Sequence, residues 1–208
     1  MHPNRAFRRE TEDRAIAMAR ARSFGILSTA AADGLLAAHI PFLLDDAAGM
    51  LEAHLLRSNP IARALRHSAM PAMMIVSGPD GYVSPDWYGE DDKVPTWNYV
   101  AVHLRGMLCL AEDVDMRGHV DRLSAQFEGR LSKTAWTADK MTPDLLEAMM
   151  RTIVPVRMTV EGVESTFKLN QNRSDQARRG AARMIAAGCT PGHETAALAA
   201  LMRAVPGD

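Results

Sequence analysis

Residues 94–106, VPTWNYVAVHLRG, place a proline and a tryptophan ahead of a run that alternates apolar and polar side chains. Successive side chains of a β-strand point to opposite faces, so this spacing predicts a strand with one buried and one open face. The two faces are predicted to be Val100, Val102 and Leu104, and Tyr99, His103 and Arg105. An aromatic ring, an imidazole and a guanidinium on the open face indicate a subunit interface or a binding site. Trp97 is predicted either to close one end of a barrel or to contact a ligand.

Shorter segments share this period of two and are bounded by turn residues. They are residues 23–30, 35–45, 50–56, 71–78 and 82–85, with turns predicted at Asp33-Gly34 and at 46–49. A further segment, 153–172, is predicted to be a hairpin that turns at Glu161-Gly162. Short antiparallel strands with frequent turns are typical of a barrel and not of an alternating parallel sheet.

Helical periodicity appears near the N-terminus and in the second half of the chain. Thr11, followed by two acids, predicts the start of a helix whose apolar stripe ends at Phe24. Further helices are predicted at 116–131, 142–152, about 174–187 and 194–204. The predicted fold class is therefore α+β, a mostly antiparallel β-barrel with peripheral helices. We expect one domain over 1–208, with a C-terminal helical extension at about 174–208.

The charge balance argues against a nucleic-acid partner. The 24 basic and 25 acidic residues give a net charge of −1 and a pI near 6.7, without the basic surplus typical of nucleic-acid binding. Three arginines on one side of a predicted helix, Arg178, Arg179 and Arg183, are expected to form a solvated face. The sequence shows no helix-turn-helix pattern either, so direct DNA binding is not supported.

The sequence shows no sign of export, of a membrane span or of zinc binding. The N-terminal residues lack the apolar core of a signal peptide, and no apolar run approaches the roughly 20 residues of a membrane span. The two cysteines, Cys109 and Cys189, form no C-x-x-C pair. Cys109 lies in an apolar run and is predicted to be a buried reduced thiol. We expect a cytoplasmic protein without a membrane partner.

The strongest local candidate for a binding site is HLLRSNP at 54–60. Asn59 suits a helix N-cap and the proline after it suits the first helical position. Arg57 and Ser58 precede that helix start and add a guanidinium fork and a hydroxyl to its free backbone N–H groups. His54 lies on the same face of its strand as Leu56. This arrangement predicts a phosphate site, while a capped helix with a solvated arginine explains the same residues.

A second candidate is His39, in the apolar segment LLAAHIPFLL. Its surroundings favour a half-buried structural histidine over a ligand-binding one. The seven histidines form no H-E-x-x-H motif and no i, i+4 pair, so no metal site is predicted.

Several of these stretches resemble the PaiB family of FMN-binding negative transcriptional regulators, which have the FMN-binding split barrel. The resembling segments are HIPFLLDDAAG, AHLLRSNP, SGPDGYVSPDWY, VPTWNYVAVHLRG and FKLNQNRS, in family order between about residues 24 and 180. The resemblance implies a split-barrel homodimer related to pyridoxamine-phosphate oxidases, with flavin sites between the subunits. This sequence departs from the family pattern at Asp80-Gly81, where His-Ala is usual, and at Pro155, where glycine is typical.

The resemblance also implies roles for individual residues. It makes Arg57, Ser58 and Asn59 the cradle of the FMN phosphate and places Ser28 and Thr29 beside the flavin ring. It places Lys168 and Gln171 near the ring, from the second subunit in one arrangement, where a lysine would stabilise the reduced flavin anion. His39, His54 and Trp97 complete the set of cofactor-binding candidates.

Three functions from different classes remain open. The first is an FMN-binding regulator of gene expression that acts indirectly. The second is a flavin-dependent oxidoreductase of the pyridoxamine-phosphate-oxidase type, with bound FMN transferring hydride. The third is a haem-binding protein, since some split barrels bind haem and His39, His54 and His103 offer imidazoles.

Overall fold

The structure, a computed structural model, describes residues 1–31, 34–45, 47, 49–188 and 190–206. Its α-helices are α1 (Glu12–Arg22), α2 (Pro60–Leu65), α3 (Met116–Glu128), α4 (Pro143–Met150), α5 (Asp175–Ala186) and α6 (Thr195–Ala204). Its strands are β1 (Phe24–Ala31), β2 (Gly34–Leu44), β3 (Met50–Leu56), β4 (Met70–Val83), β5 (Thr96–Leu110), β6 (Ile153–Lys168) and β7 (Gly192–His193). Short 3-10 helices lie at Arg5–Phe7, Pro85–Tyr88 and Ala138–Lys140.

The chain divides into two compact units, each built from separate stretches of sequence. The barrel unit comprises residues 19–76 and 103–163, and the helical unit comprises residues 1–18, 77–102 and 164–208. The helical unit thus combines the C-terminal helices with the N-terminus and a central segment. One domain with a C-terminal extension stays a prediction.

Antiparallel pairing closes the strands of the barrel unit on themselves. The order is β1-β2-β3-β6-β5-β4, and β1 also pairs with β4. In that last pair Ile26 lies opposite Ile75. Closure leaves these strands without a free edge, which is the constraint that defines a barrel. The prediction of an α+β fold, a mostly antiparallel split β-barrel with peripheral helices, is confirmed.

The alternation predicted for β5 is confirmed. Val100, Val102 and Leu104 are buried, while Arg105 is exposed and Tyr99 and His103 are partly exposed. Burial of an aliphatic side chain contributes about 1.5–3 kcal/mol, so the inward face of this strand is a major source of stability.

Three local predictions were wrong. β6 is one continuous strand and not a hairpin, because Glu161 and Gly162 lack the positive φ that a tight hairpin turn requires. β4 likewise continues through Asp80-Gly81, which had separated two predicted strands. Phe24 begins β1 and is 51% exposed, because α1 ends before Ser23, whose φ is +49°.

Other sequence predictions concern turns and strand pairing. In the predicted turns, Asp33, Asp46 and Ala48 lie outside the described residues. The pairing of β3 with β6 continues through Pro155, which lies opposite His54. Proline at this position therefore leaves the ladder in register.

In the helical unit, α5 and α6 form the core with apolar side chains that include Ala181, Ile185 and Leu198. Arg178 lies inside this core, 2% exposed, so its assignment to a solvated arginine face was wrong. Its guanidinium donates to the carbonyls of Met202 (3.1 Å) and Val205 (2.7 Å), at the end of α6. Arg178 also forms an ion pair with Asp175, so its charge is compensated, and its N–H groups satisfy carbonyls that accept from no further helical N–H.

Cys109 is a free thiol and is partly, not fully, buried. Cys189 lies outside the described residues. No helix in the described part of the chain has both the length and the apolar character needed to cross a bilayer.

The close approach of β5 to β6 at Gly106 generates a stability prediction. A Cβ at Gly106 would lie 1.8 Å from the carbonyl oxygen of Thr159. We expect Gly106→Ala to lower the free energy of unfolding by about 3 kcal/mol or more, since the backbone must shift. The control is Gly162→Ala in β6, where a Cβ has nothing within 4 Å. Urea denaturation of both variants measures the difference, and equal stabilities would contradict the close contact.

Candidate anion-binding site

A cavity of about 570 Å³ lies in the barrel unit, where the end of β3 meets the start of β6. Its lining includes Arg57, Arg66, Glu112, Met116, Met150 and Pro155. Two arginines against one glutamate give it a positive balance, and its volume is typical of a small-molecule site. It suits an anion with an apolar body attached.

Arg57 is exposed at the wall of this cavity, and its guanidinium is bonded to the protein through Nε. Its backbone N–H donates to the carbonyl of Thr152 at 2.9 Å, and its Nε donates to the carbonyl of Arg151 at 2.7 Å. Among the described residues, its two terminal amino groups have no hydrogen-bond partner. The guanidinium is therefore oriented by the protein, with its fork available to a ligand.

The neighbouring predicted residues have different roles. Asn59 caps α2, because its side-chain oxygen accepts from the N–H of Ile61 at 2.9 Å, as predicted. Ser58 is exposed and is not among the residues that line the cavity. Because α2 has only six residues, the arginines supply the positive potential and the helix start adds little.

The barrel unit contains a histidine pair in which His54 is half-buried and His119 is buried. His54 Nδ1 is 3.2 Å from Nε2 of His119, which is 0% exposed. The other ring nitrogen of His119, Nδ1, is 3.9 Å from a carboxylate oxygen of Glu52. The sequence analysis did not identify His119. Its inward position in amphipathic α3, one turn before the buried Leu123, was the available signal.

Burial controls the charge of both imidazoles. Desolvation lowers the pKa of His119 to about 4, and burial also lowers the pKa of His54. Both rings are therefore neutral at pH 7.

Ser28 and Thr29 line a second cavity of the barrel unit, of about 420 Å³, together with Arg105 and Met107. Thr29 donates its hydroxyl hydrogen to the carbonyl of Pro71 at 2.7 Å, so that hydroxyl is already used. The two cavities have no lining residue in common. Ser28 is therefore the better candidate for a ligand contact.

Three predicted residues lie in the helical unit. Lys168 Nζ donates to the carbonyl of Trp97 at 2.9 Å and to the Thr96 hydroxyl, and burial lowers the pKa of its ammonium. Gln171 is bound to its own turn, accepting from the N–H of Leu169 at 2.7 Å. Trp97 is 42% exposed and donates its indole N–H to Asp80 at 3.2 Å, so it closes no core.

His39 was expected to be half-buried, but it is exposed on β2, because its neighbours Ala38 and Ile40 point inward. In the part of the chain that the structure describes, no group of three or more His, Cys, Asp or Glu residues could hold a metal ion.

The histidine pair predicts a loss of stability in acid. The pKa of His119 is lower in the folded chain than the ordinary 6.5, so stability is complete above pH 6.5 and falls as the pH drops toward 4. We expect the wild type to lose about 2 kcal/mol more than His119→Leu between pH 7 and pH 5. Denaturant titrations at both pH values measure this. His67→Leu, at an exposed histidine of the same unit, should keep the full loss, and an equal loss in all three proteins would contradict the assignment.

A family model described as "Putative FMN-binding domain" matches residues 1–162. The protease synthase and sporulation protein PAI 2 of Bacillus subtilis is 31% identical over 156 residues, which cover 74% of this chain and 73% of that protein.

Among solved structures, an FAD- and haem-binding protein from Mycobacterium smegmatis matches with a TM-score of 0.55 and 16% identity, over 78% of this chain and 73% of the other. The flavocytochrome Anf3 from Azotobacter vinelandii matches with a TM-score of 0.52 and 12% identity, over 80% and 72% of the two chains. At these identities the likeness concerns the fold alone. The family match and the Bacillus relative together show that this chain belongs to the PaiB-like family of FMN-binding split-barrel domains.

Proposed function

We propose that the protein is a homodimeric FMN-binding regulator whose flavin phosphate lies against Arg57 and Arg66. The observation that carries the proposal is the oriented Arg57 fork at the wall of a cavity with positive balance. A terminal phosphate with two negative charges fits a guanidinium fork through paired, charge-assisted hydrogen bonds. FMN ends in such a phosphate, whereas FAD joins its two phosphates in a pyrophosphate bridge and has no terminal phosphate, so FMN is the flavin we propose.

In a single chain, the residues proposed for the FMN phosphate and those proposed for the flavin ring line different cavities. Arg57 lines one and Ser28 lines the other, with no shared residue. We propose that a second copy brings the two together, so that each flavin lies between subunits. Exposed apolar side chains on the barrel unit support this, since Leu35 is 84% and Met107 37% exposed, and both line the cavity of Ser28.

Lys168 stays in the proposal as a ring contact. Its ammonium is partly desolvated, which strengthens its attraction for an anion such as reduced flavin. The polar groups of Gln171 and Trp97 are bonded to the protein, so we propose no hydrogen bond from either side chain to the flavin.

The regulatory role is proposed from the resemblance to the PaiB family and from the Bacillus relative, whose name includes the words "protease synthase and sporulation protein". With a pI near 6.7, regulation through a protein or a small-molecule signal is favoured over operator binding. A flavin-dependent oxidoreductase is the alternative, and NAD(P)H oxidation by the flavin-loaded protein would identify it.

Haem is the second alternative for the cofactor. A haem-binding protein shares the fold, but here His54 is bonded to His119 and His39 lies exposed on β2. The visible spectrum of the purified protein distinguishes the cases by flavin bands or a Soret band.

Truncating Arg57 tests the phosphate site. We expect Arg57→Ala to weaken FMN binding by roughly 10- to 150-fold, since charge-assisted hydrogen bonds contribute about 1.5–3 kcal/mol. Riboflavin, which has the ring without the phosphate, should bind the variant and the wild type alike. Fluorescence quenching measures both affinities.

The matched control is Arg63→Ala, which removes the same charge from an exposed position on α2 outside the cavity lining. It should leave FMN affinity within about twofold of the wild type. Equal FMN affinities for wild type and Arg57→Ala would exclude the phosphate site.

The dimer is tested by mass in solution. Light scattering at micromolar concentration should give twice the 22.7 kDa of one chain. Leu35→Asp should shift the protein toward the monomer, because it places a charge in an apolar interface. Leu131→Asp, at a leucine that is 51% exposed outside that cavity lining, should not. A wild-type mass of one chain would rule out the dimer.

Direct operator binding is expected to be absent. A gel shift at moderate salt should show no preference for the promoter of a regulated gene over competitor DNA, because the chain lacks a basic surplus. Tight binding to one sequence would refute indirect regulation.

A further inference from the structure

His54 and His119 are not lining residues of the cavity of Arg57, but each has a close neighbour that lines it. His54 lies directly opposite Pro155 in the β3–β6 register, and Pro155 lines the cavity. Met116, one turn before His119 on α3, lines it as well. Cross-strand partners share a face of the sheet, and residues three apart share a face of a helix. The pair is therefore one cross-strand partner away from the lining on β6 and one helical turn away from it on α3, so a charge on the pair acts on an anion in the cavity through the electrostatic field.

The charged groups that face the pair balance one another. Glu52 on β3 contacts Arg122 on α3 at 2.9 Å and Arg157 on β6 at 3.5 Å. Asp113, in the loop after β5, contacts Arg157 at 3.0 Å. Two acids and two arginines leave no negative charge to compensate a protonated imidazole, so the pair stays neutral in the free protein.

Electrostatics assigns the protons of this neutral pair. His119 Nδ1 faces the Glu52 carboxylate at 3.9 Å and has no hydrogen-bond partner among the described residues. The carboxylate favours a proton on that nitrogen, which leaves the lone pair on Nε2 of His119. His54 Nδ1–H then donates to it across 3.2 Å. The remaining nitrogen, His54 Nε2, is a base that can accept one proton.

We infer that an anion in this cavity, the phosphate of FMN, binds together with one proton that the His54–His119 pair takes up. This inference rests on the proposed function and adds control of flavin affinity by pH. On protonation His54 keeps its bond to His119 and gains an N–H at Nε2, while the phosphate supplies the missing negative charge. Binding and protonation then strengthen each other by the same factor, because linkage is reciprocal.

The wild-type protein tests this directly. FMN and riboflavin are titrated from about pH 8 to about pH 6.5. FMN affinity should rise, by up to about tenfold for each pH unit, while riboflavin affinity stays constant. The phosphate group titrates near pH 6 and by itself would weaken FMN binding as the pH falls, so the two effects have opposite signs.

Two variants locate the proton. His54→Gln should lose the pH dependence and keep tighter binding of FMN than of riboflavin, since Arg57 remains. His67→Gln, at an exposed histidine of the same unit, should behave as the wild type. Calorimetric titration of wild type in two buffers with different ionisation enthalpies counts the protons without a variant.

The outcomes separate the two proposals. FMN that binds more tightly than riboflavin, with no rise in affinity toward acid, overturns the proton uptake and leaves the phosphate site in place. Equal affinities of FMN and riboflavin at every pH overturn both. A pH dependence that persists in His54→Gln excludes this pair as its source.

Discussion

The antiparallel pairing of β3 with β6 is the constraint on which the candidate site depends. It places Glu52 opposite Arg157 and His54 opposite Pro155. A slip of one residue would reverse the face of every side chain on one strand. The core residues Leu51, Ala53 and Leu55 oppose such a slip, because it would expose all three to water.

The same register fixes the end of β3, where Arg57 follows the last paired residue. Arg57 is bonded to the carbonyls of Thr152 and Arg151, the two residues that directly precede β6. The guanidinium is thereby oriented before any ligand arrives, so a ligand is spared part of the entropy cost of fixing a long side chain. α4, which contributes Met150 to the cavity, ends at this point.

Local patterns in the sequence predicted features that depend on nearest neighbours. The faces of β5 and the Asn59 cap are examples, because strand alternation and capping act over a few residues. Features set by distant segments were missed. The role of His119 depends on its contact with His54, which is 65 residues away in the sequence. The burial of Arg178 depends on the carbonyls at the end of α6, which a local charge pattern does not reveal. Among the site residues, the sequence identified Arg57 but gave no indication of Arg66, which reaches the same cavity from the end of α2.

In the function proposed here, the flavin phosphate lies between Arg57 and Arg66, in the cavity at the junction of β3 and β6. A crystal structure of the protein with FMN tests it most directly. We expect phosphate density within hydrogen-bond distance of the terminal amino groups of Arg57, with the Nε bond to the carbonyl of Arg151 retained. Phosphate density at any other place on the chain, with this cavity filled by water, would contradict it.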